Sequence, residues 1–300
     1  MQRVKNEHYV SQFCLRRFTM DGTRTWVFDK PSKRSFVRNV SEIASEERFY
    51  DLSPRFSPDF QVMEKALGEL ESYTAPAFEH FLNDLEQKRG FNHRDKPLRQ
   101  AIATFIVIQD IRTRLFREQF LQKHDAIIEE IERRGIEVPQ EWKEDVSHER
   151  LAFEHARFMF SKEYRQAGVG ALMRHIWVVG RNETAQPLFF SDAPVTRYAH
   201  TPSQFGGAGL ATIGVQIDFP ISSKYILMMY ERTHFGPMLA DREGRMMALE
   251  VEGAKAINTM QIAQSRRQVY CAEDKFQLVL EYAQSHPELF DPDRPRFEIM

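Results

Sequence analysis

Only two cysteines, Cys14 and Cys271, occur in 300 residues, which excludes a disulfide scaffold or a four-thiolate metal site and fits a reducing cytoplasm. No apolar run approaches the roughly 20 residues needed to span a bilayer, so no membrane partner is expected. Met1 to Val10 is polar and basic and has no apolar core, so no secretory signal is expected there. There is no Gly-x-Ser-x-Gly elbow. Gly206-Gly207-Ala208-Gly209 lacks both the Lys and Ser/Thr of a phosphate loop and the spacing of a dinucleotide fingerprint, and reads as a flexible loop. Nor is there an excess of either charge, since 41 Lys+Arg face 43 Asp+Glu.

What is present describes a globular chain with a sizeable core: 42% hydrophobic, 28% charged, and 24 Phe, which assigns much of the packing to aromatic rings. The near-neutral charge is unevenly spread. Residues 1–40 carry nine Lys/Arg against Glu7, Asp21 and Asp29, a segment of +6 beside a remainder of −8.

Tyr9, Val10, Phe13 and Cys14 share one helical face in the stretch Glu7–Phe18, and His8, Gln12 and Arg16 fall at i, i+4 and i+8 beside it. Thr25–Phe28 and Ser35–Val40 read as a hairpin around Asp29-Lys-Pro-Ser. From Asp59 to Lys162 the pattern is helical: one helix starts at Val62, a long run covers Leu98–Arg133, and another covers Gln140–Phe160 with Trp142, Val146 and Phe153 on its buried side. After Gly168 come short β-branched runs (175–179, 188–190, 215–219, 224–230), then helical patterns at 250–267 and 274–285 and a Pro/Asp-rich tail. The expected class is α+β: an N-terminal helix and hairpin plus a C-terminal antiparallel or mixed sheet, around a helical middle lobe. Residues 1–58 and 168–285 would form a discontinuous core, 59–167 a helical insertion and 286–300 an irregular tail. A single compact domain is the alternative division.

Three polar features interrupt this pattern. The line His8, Gln12, Arg16 combines an imidazole that titrates near neutrality with a guanidinium suited to phosphate oxygens, and its plain alternative is a solvated helix face. Arg112, with Gln109 a turn earlier, lies in the otherwise apolar stripe Ala101, Phe105, Ile108, Leu115; a buried guanidinium requires something acidic to meet it, catalytic or structural. Phe189-Phe-Ser-Asp-Ala-Pro-Val195 presents Asp192 at a strand end, where it would orient His8, act as a base, ligate a metal, pair with Arg112, or simply form an Asx-turn. Glu144, His148 and His155 form a weaker carboxylate–imidazole line without zincin spacing and read as a solvated face. Cys14 lies on the apolar side of its helix and reads as packed.

Asn6-Glu-His-Tyr-Val-Ser-Gln-Phe-Cys-Leu-Arg-Arg-Phe18 followed by Trp26-Val-Phe-Asp-Lys30 resembles the opening of the prokaryotic domain of unknown function 4238 family. The resemblance continues at Asn39–Tyr50, Gln109-Asp-Ile-Arg-Thr-Arg-Leu-Phe-Arg117, Ser191–Val195, Phe219–Ser222, Asn258 and Val269-Tyr270. Ser11, Phe28, Arg114 and Ala193 depart from the family pattern, and none of these removes an ionisable group from the candidate set. The resemblance implies that His8, Gln12, Arg16, Asp29, Arg112 and Asp192 belong to one recurring architecture. It brings no activity, only an association with toxins and phage-defence effectors.

These readings combine into the expectation of a nuclease-like phosphodiester hydrolase of the cytoplasm. His8, Asp192 and Arg112 would be catalytic, and Gln12, Arg16, Gln109 and Asp29 would bind substrate, with no metal among the assigned roles. No cofactor is required, and a divalent metal is not excluded. Partners would be nucleic acid, met by the basic N-terminal segment, and a neutralising or effector protein. The competing expectation is a non-catalytic binding module whose buried His/Arg/Asp network is structural.

Overall fold

The computed structural model describes residues 5–88, 90–140, 148–201 and 208–295. In chain order these form β1 (Asn6–His8), α1 (Gln12–Leu15) continued by a 3-10 turn to Phe18, β2 (Arg24–Asp29), β3 (Arg34–Asn39), β4 (Ser45–Glu47), α2 (Val62–Lys88), α3 (Lys96–Ile111), α4 (Arg114–Arg133), α5 (His148–Phe160) and α6 (Lys162–Arg174). There follow β5 (Ile176–Asn182), β6 (Phe190–Ser191), β7 (Thr196–Ala199), β8 (Val215–Pro220), β9 (Tyr225–Tyr230), α7 (Arg232–Leu239), β10 (Met246–Leu249), α8 (Val251–Gln264), β11 (Gln268–Cys271) and α9 (Gln277–Ser285). The architecture is α+β with a helical middle.

The expected hairpin is β2–β3, with Trp26 opposite Val37 and Phe28 opposite Ser35. It forms half of an antiparallel sheet of order β3-β2-β11-β6, so the end of the chain pairs with its beginning. The second sheet, β10-β5-β9-β8-β7, is mixed: β10 runs parallel to β5, and the other pairs are antiparallel.

Several boundaries differ from the sequence expectation: the helical middle runs on in α6 to Arg174, so the expected division at 167/168 falls inside a helix, and two further differences have a clear local reason. The N-terminal helix does not begin at Glu7. Residues 6–8 are extended because they pair with β4, Asn6 with Glu47 and His8 with Ser45, while the buried Glu7 carboxylate accepts the Tyr50 N–H. The long run Leu98–Arg133 is two helices. Asp95 caps α3 by accepting the Leu98 N–H, and α3 ends at Arg112; Thr113 then turns extended and its hydroxyl accepts the Phe116 N–H, opening α4. In the helix expected over Gln140–Phe160, residues 141–147, including Trp142, Glu144 and Val146, lie outside the described residues, as do Gly206 and Gly207. The tail is not wholly irregular: Pro287–Phe290 forms a 3-10 turn that buries Phe290 against Phe28.

One buried cluster joins the N-terminal segment, α2, α3 and both larger sheets. It includes Val10 and Phe18, Phe78 and Phe81 of α2, Phe105 and Ile106 of α3, Trp177 of β5, Phe219 of β8, Leu227 of β9 and Tyr270 of β11. Phe105 is central, with ring centroids 4.9 Å from Phe13, 5.1 Å from Phe78 and 6.1 Å from Phe219. Truncating such a ring costs about 3–5 kcal/mol through lost burial and the cavity left behind.

Asp218 of β8 lies in register with Thr196 and Met228 and is buried. Among the described residues its two oxygens accept only from the Gln216 amide, at 3.0 and 2.9 Å, and burial pushes its carboxyl up to about 7 despite that bond. Because the folded-state value lies above the ordinary 3.8, the native protein holds more protons than the unfolded chain between about pH 4 and 7, and stability falls as pH rises through that window. Glu7, raised to about 7 by burial, contributes with the same sign. Asp218→Asn is expected to raise Tm at pH 8 and to flatten its change between pH 5 and 8. Calorimetry giving parallel curves for variant and wild type would contradict this assignment.

Candidate functional site

The backbone entering α1 is held from behind. Gln109, fully buried on α3, accepts the Ser11 N–H (3.2 Å) and donates its amide to the Tyr9 carbonyl (3.0 Å). One turn later Arg112 donates Nη2 to the His8 carbonyl (2.5 Å) and Nη1 to Glu71 of α2 (2.7 Å), and the Tyr50 hydroxyl donates to the Arg112 carbonyl (2.6 Å). Arg112 is 2% exposed and stays charged against its burial because the Glu71 carboxylate pairs with it. The acid that the sequence requires for this guanidinium is Glu71.

With that backbone fixed, three side chains form a hydrogen-bonded line. His8 Nε2–H donates to the Val40 carbonyl (3.3 Å). Gln12 donates its amide to His8 Nδ1 (3.3 Å) and accepts from Arg16 (3.1 Å). The i, i+4, i+8 spacing therefore survives although His8 belongs to a strand. The line forms one wall of an open cleft of about 380 Å³ whose other wall is α2, with Glu64, Gly68, Glu71 and Ser72, and Arg112 lies behind. Gly68 leaves this wall low: a Cβ built there meets nothing within 4 Å.

The cleft moves two of its titratable groups in opposite directions. Burial lowers the His8 imidazole below 6.5, opposed by the Val40 carbonyl and reinforced by the Arg112 charge. Burial raises the Glu64 carboxyl above 4.5, with Arg112 opposing and Glu71 reinforcing. The imidazole therefore favours its neutral, proton-accepting form, and the carboxyl retains its proton to higher pH.

The remaining candidates lie elsewhere. Asp192 neither orients His8 nor meets Arg112: its carboxylate accepts the backbone N–H groups of Arg266 (2.8 Å), Arg267 (2.7 Å) and Gln268 (2.8 Å), fixing the loop before β11. A carboxylate satisfied by three successive backbone donors is a structural cap. Asp29, on the hairpin, accepts from Ser32 and from Arg267 Nε (2.5 Å), which hold it below the ordinary carboxylate value against its burial. His155 is not on a solvated face. It is buried, accepts from Arg117 at Nδ1 and donates to the Ile111 carbonyl at Nε2, and burial pushes it down to about 3. The Cys14 thiol is packed and pushed up to about 12 by burial.

The +6 segment is compensated only in part, because Arg24 pairs with an acid of the same segment and Asp29 is paired by Arg267 from outside it. Arg17 pairs with Glu79 (2.6 Å), Arg24 with Asp21 (2.8 Å) and Lys5 with Glu47 (3.7 Å), while Lys30 is buried and donates to the Ile262 and Ser265 carbonyls. Among the described residues no carboxylate pairs with Arg16, Lys33, Arg34 or Arg38, and of these four Arg16 is the one whose guanidinium stands at the cleft.

Sequence reasoning missed Glu64, Gly68 and Glu71. The spacing of Val62, Ala66, Leu70 and Tyr73 marks a different face of α2 as the apolar one, although Tyr73 is 68% exposed. The available signal was Glu64, Gly68, Glu71 and Ala75 at i, i+4, i+7 and i+11, which place two carboxylates on one helical stripe with Gly68 between them and Ala75 beyond.

A sequence model of the family described as "Protein of unknown function (DUF4238)" matches residues 6–275. No curated protein and no solved structure matches the chain.

Supports and cleft wall should respond differently to truncation. Arg112→Ala leaves Glu71 and the His8 carbonyl without their buried partner and is expected to cost about 3–5 kcal/mol. Asp192→Ala, which strips three backbone donors of their acceptor, is expected to cost about 2–5 kcal/mol. Arg16→Ala, at an exposed position, should stay within about 0.5 kcal/mol of wild type. Urea denaturation that ranks Arg16→Ala with the other two would contradict the division.

Proposed function

The chain belongs to the DUF4238 family, and from that premise we propose that it is a hydrolase acting on phosphodiester bonds, with the His8 cleft as its site. The observation that carries this reading is the hydrogen-bonded line His8–Gln12–Arg16 along one wall of an open cleft. It sets a proton-transfer group beside a guanidinium that no carboxylate among the described residues neutralises. His8 is the acid/base and Arg16 holds the phosphate, a combination in which proton transfer alone contributes about 10²–10⁴-fold in rate. Gln12 sets the spacing between the two. Arg112 takes the role of a support, because Glu71 and the His8 carbonyl already engage it.

Such an activity fits a cytoplasmic toxin or phage-defence effector that acts on nucleic acid and answers to a neutralising or effector protein. A second reading is favoured by one specific observation: the polar atoms of Gln109, Asp29 and Asp192 and both terminal nitrogens of Arg112 are directed to internal partners. On that reading the network is structural and the cleft belongs to a binding module for nucleic acid or protein, without chemistry.

The two readings separate in one set of measurements. Purified protein should cleave oligonucleotides, and His8→Ala should lower the rate by at least about 100-fold while leaving the protein folded. Gly68→Leu should abolish cleavage by filling the cleft, with Tm unchanged or raised, since Gly in a helix interior costs about 1 kcal/mol relative to a good helix former. Binding without cleavage would favour the second reading. A His8→Ala protein that cleaves at the wild-type rate would remove His8 from the mechanism.

A further inference from the structure

We infer that Glu64 is the proton donor that complements His8, and that the pair cleaves RNA with the adjacent 2′-hydroxyl as nucleophile; the inference rests on the phosphodiester reading of the cleft. The first support is the tautomer of His8. A carbonyl oxygen only accepts, so the contact with Val40 assigns the ring proton to Nε2 and leaves the lone pair on Nδ1, the nitrogen on the Gln12 side of the cleft. The Gln12 amide that now donates to Nδ1 does so at 3.3 Å, longer than the usual 2.9–3.0 Å, and a substrate hydroxyl donating to the same lone pair takes its place.

The second support is the opposite wall. Glu64 stands on α2 one turn before the bare position Gly68, and it answers to the same two charges as His8, Arg112 and Glu71. Arg112 and Glu71 neutralise each other at 2.7 Å, so the cleft contains one proton acceptor, one proton donor and the guanidinium of Arg16. Paired titratable groups driven in opposite directions by one environment mark acid and base assignments. That set lacks nothing if the nucleophile is already tethered to the phosphate, and an intramolecular nucleophile supplies a large entropic advantage. RNA carries one in its 2′-hydroxyl and DNA does not.

The step balances as follows. Nδ1 of His8 takes the 2′-hydroxyl proton, O2′ forms a bond to phosphorus, the P–O5′ bond breaks, and the Glu64 carboxyl gives its proton to the departing O5′. The products are a 2′,3′-cyclic phosphate and a free 5′-hydroxyl. Water then opens the cyclic phosphate with the two proton transfers reversed. The active form requires neutral His8 and protonated Glu64, in the field of Glu71, Arg112 and Arg16. The rate–pH profile is therefore a bell: protonation of His8 sets the acid limb and ionisation of Glu64 the alkaline limb.

The test uses the full-length protein and three oligonucleotides of one sequence: RNA, DNA, and RNA carrying 2′-O-methyl groups. RNA alone should be cleaved, with a 2′,3′-cyclic phosphate detected by mass spectrometry. Glu64→Gln should lower kcat at least about 100-fold and remove the alkaline limb, while Glu64→Asp retains the bell. Cleavage of DNA or of the 2′-O-methyl strand, or Glu64→Gln with wild-type kcat and pH profile, overturns the inference and leaves the hydrolase reading standing. Absence of cleavage on all three strands overturns that reading and the inference with it.

Discussion

A full positive charge carried into the protein interior at the joint between two helices constrains the rest of the structure. Arg112 ends α3, and a guanidinium buried there is tolerable only if its protons find acceptors. It obtains them from two elements distant in sequence, Glu71 of α2 and the His8 carbonyl of β1, and the Tyr50 hydroxyl returns a bond to its own carbonyl. Satisfying one charge thus fixes three segments relative to one another. Gln109, a turn earlier, adds two bonds to the chain at Tyr9 and Ser11. The backbone of residues 8–11 is held from the inside, so the His8 and Gln12 side chains can face outward at set positions.

Polar residues in this protein therefore fall into two populations. One is directed inward to backbone groups or paired charges. Arg117 lies 3.6 Å from the Phe49 ring centroid and donates to His155 and to the Phe49 carbonyl, and Arg114 pairs with Glu46 and Glu118, the latter also engaged by Arg266. These contacts tie α4 to β4 and to the loop before β11. The other population, His8, Gln12, Arg16 and Glu64, surrounds open space. Its polar groups keep capacity for a molecule that enters, and the shifts in its imidazole and carboxyl arise because the cleft is half-buried and lies over the Arg112–Glu71 pair.

The class of fold was legible from the sequence because its signals are local: the hairpin turn at Asp29-Lys-Pro-Ser, the helical period after Val62, the β-branched runs at 215–219 and 224–230. Short strands were not legible. β1 and β4, three residues each, exist through their mutual pairing and the Glu7–Tyr50 contact, and β11 is a strand because β2 and β6 receive it. The break between α3 and α4 was visible only as a threonine, which becomes a cap once the chain turns at Arg112. In the site, the spacing of His8, Gln12 and Arg16 was readable and the need of Arg112 for an acid was deducible, but the acid itself was not. Asp192 looked like the natural partner, since an Asp at a strand end suits either a site or a cap. Three backbone N–H groups from a segment more than seventy residues away decided it as a cap, and no local pattern encodes that.

The central claim, that a buried structural clamp presents His8 as a neutral imidazole whose lone pair faces a substrate cleft, is tested most directly at the ring itself. Nitrogen-15 NMR of the His8 imidazole should show the Nε2–H tautomer at pH 7 and protonation below pH 6.5, with the Nδ1 resonance moving when a dinucleotide blocked at its 2′ position is added. An imidazole that titrates at or above 6.5, carries its proton on Nδ1, and is unchanged by the dinucleotide would contradict the account.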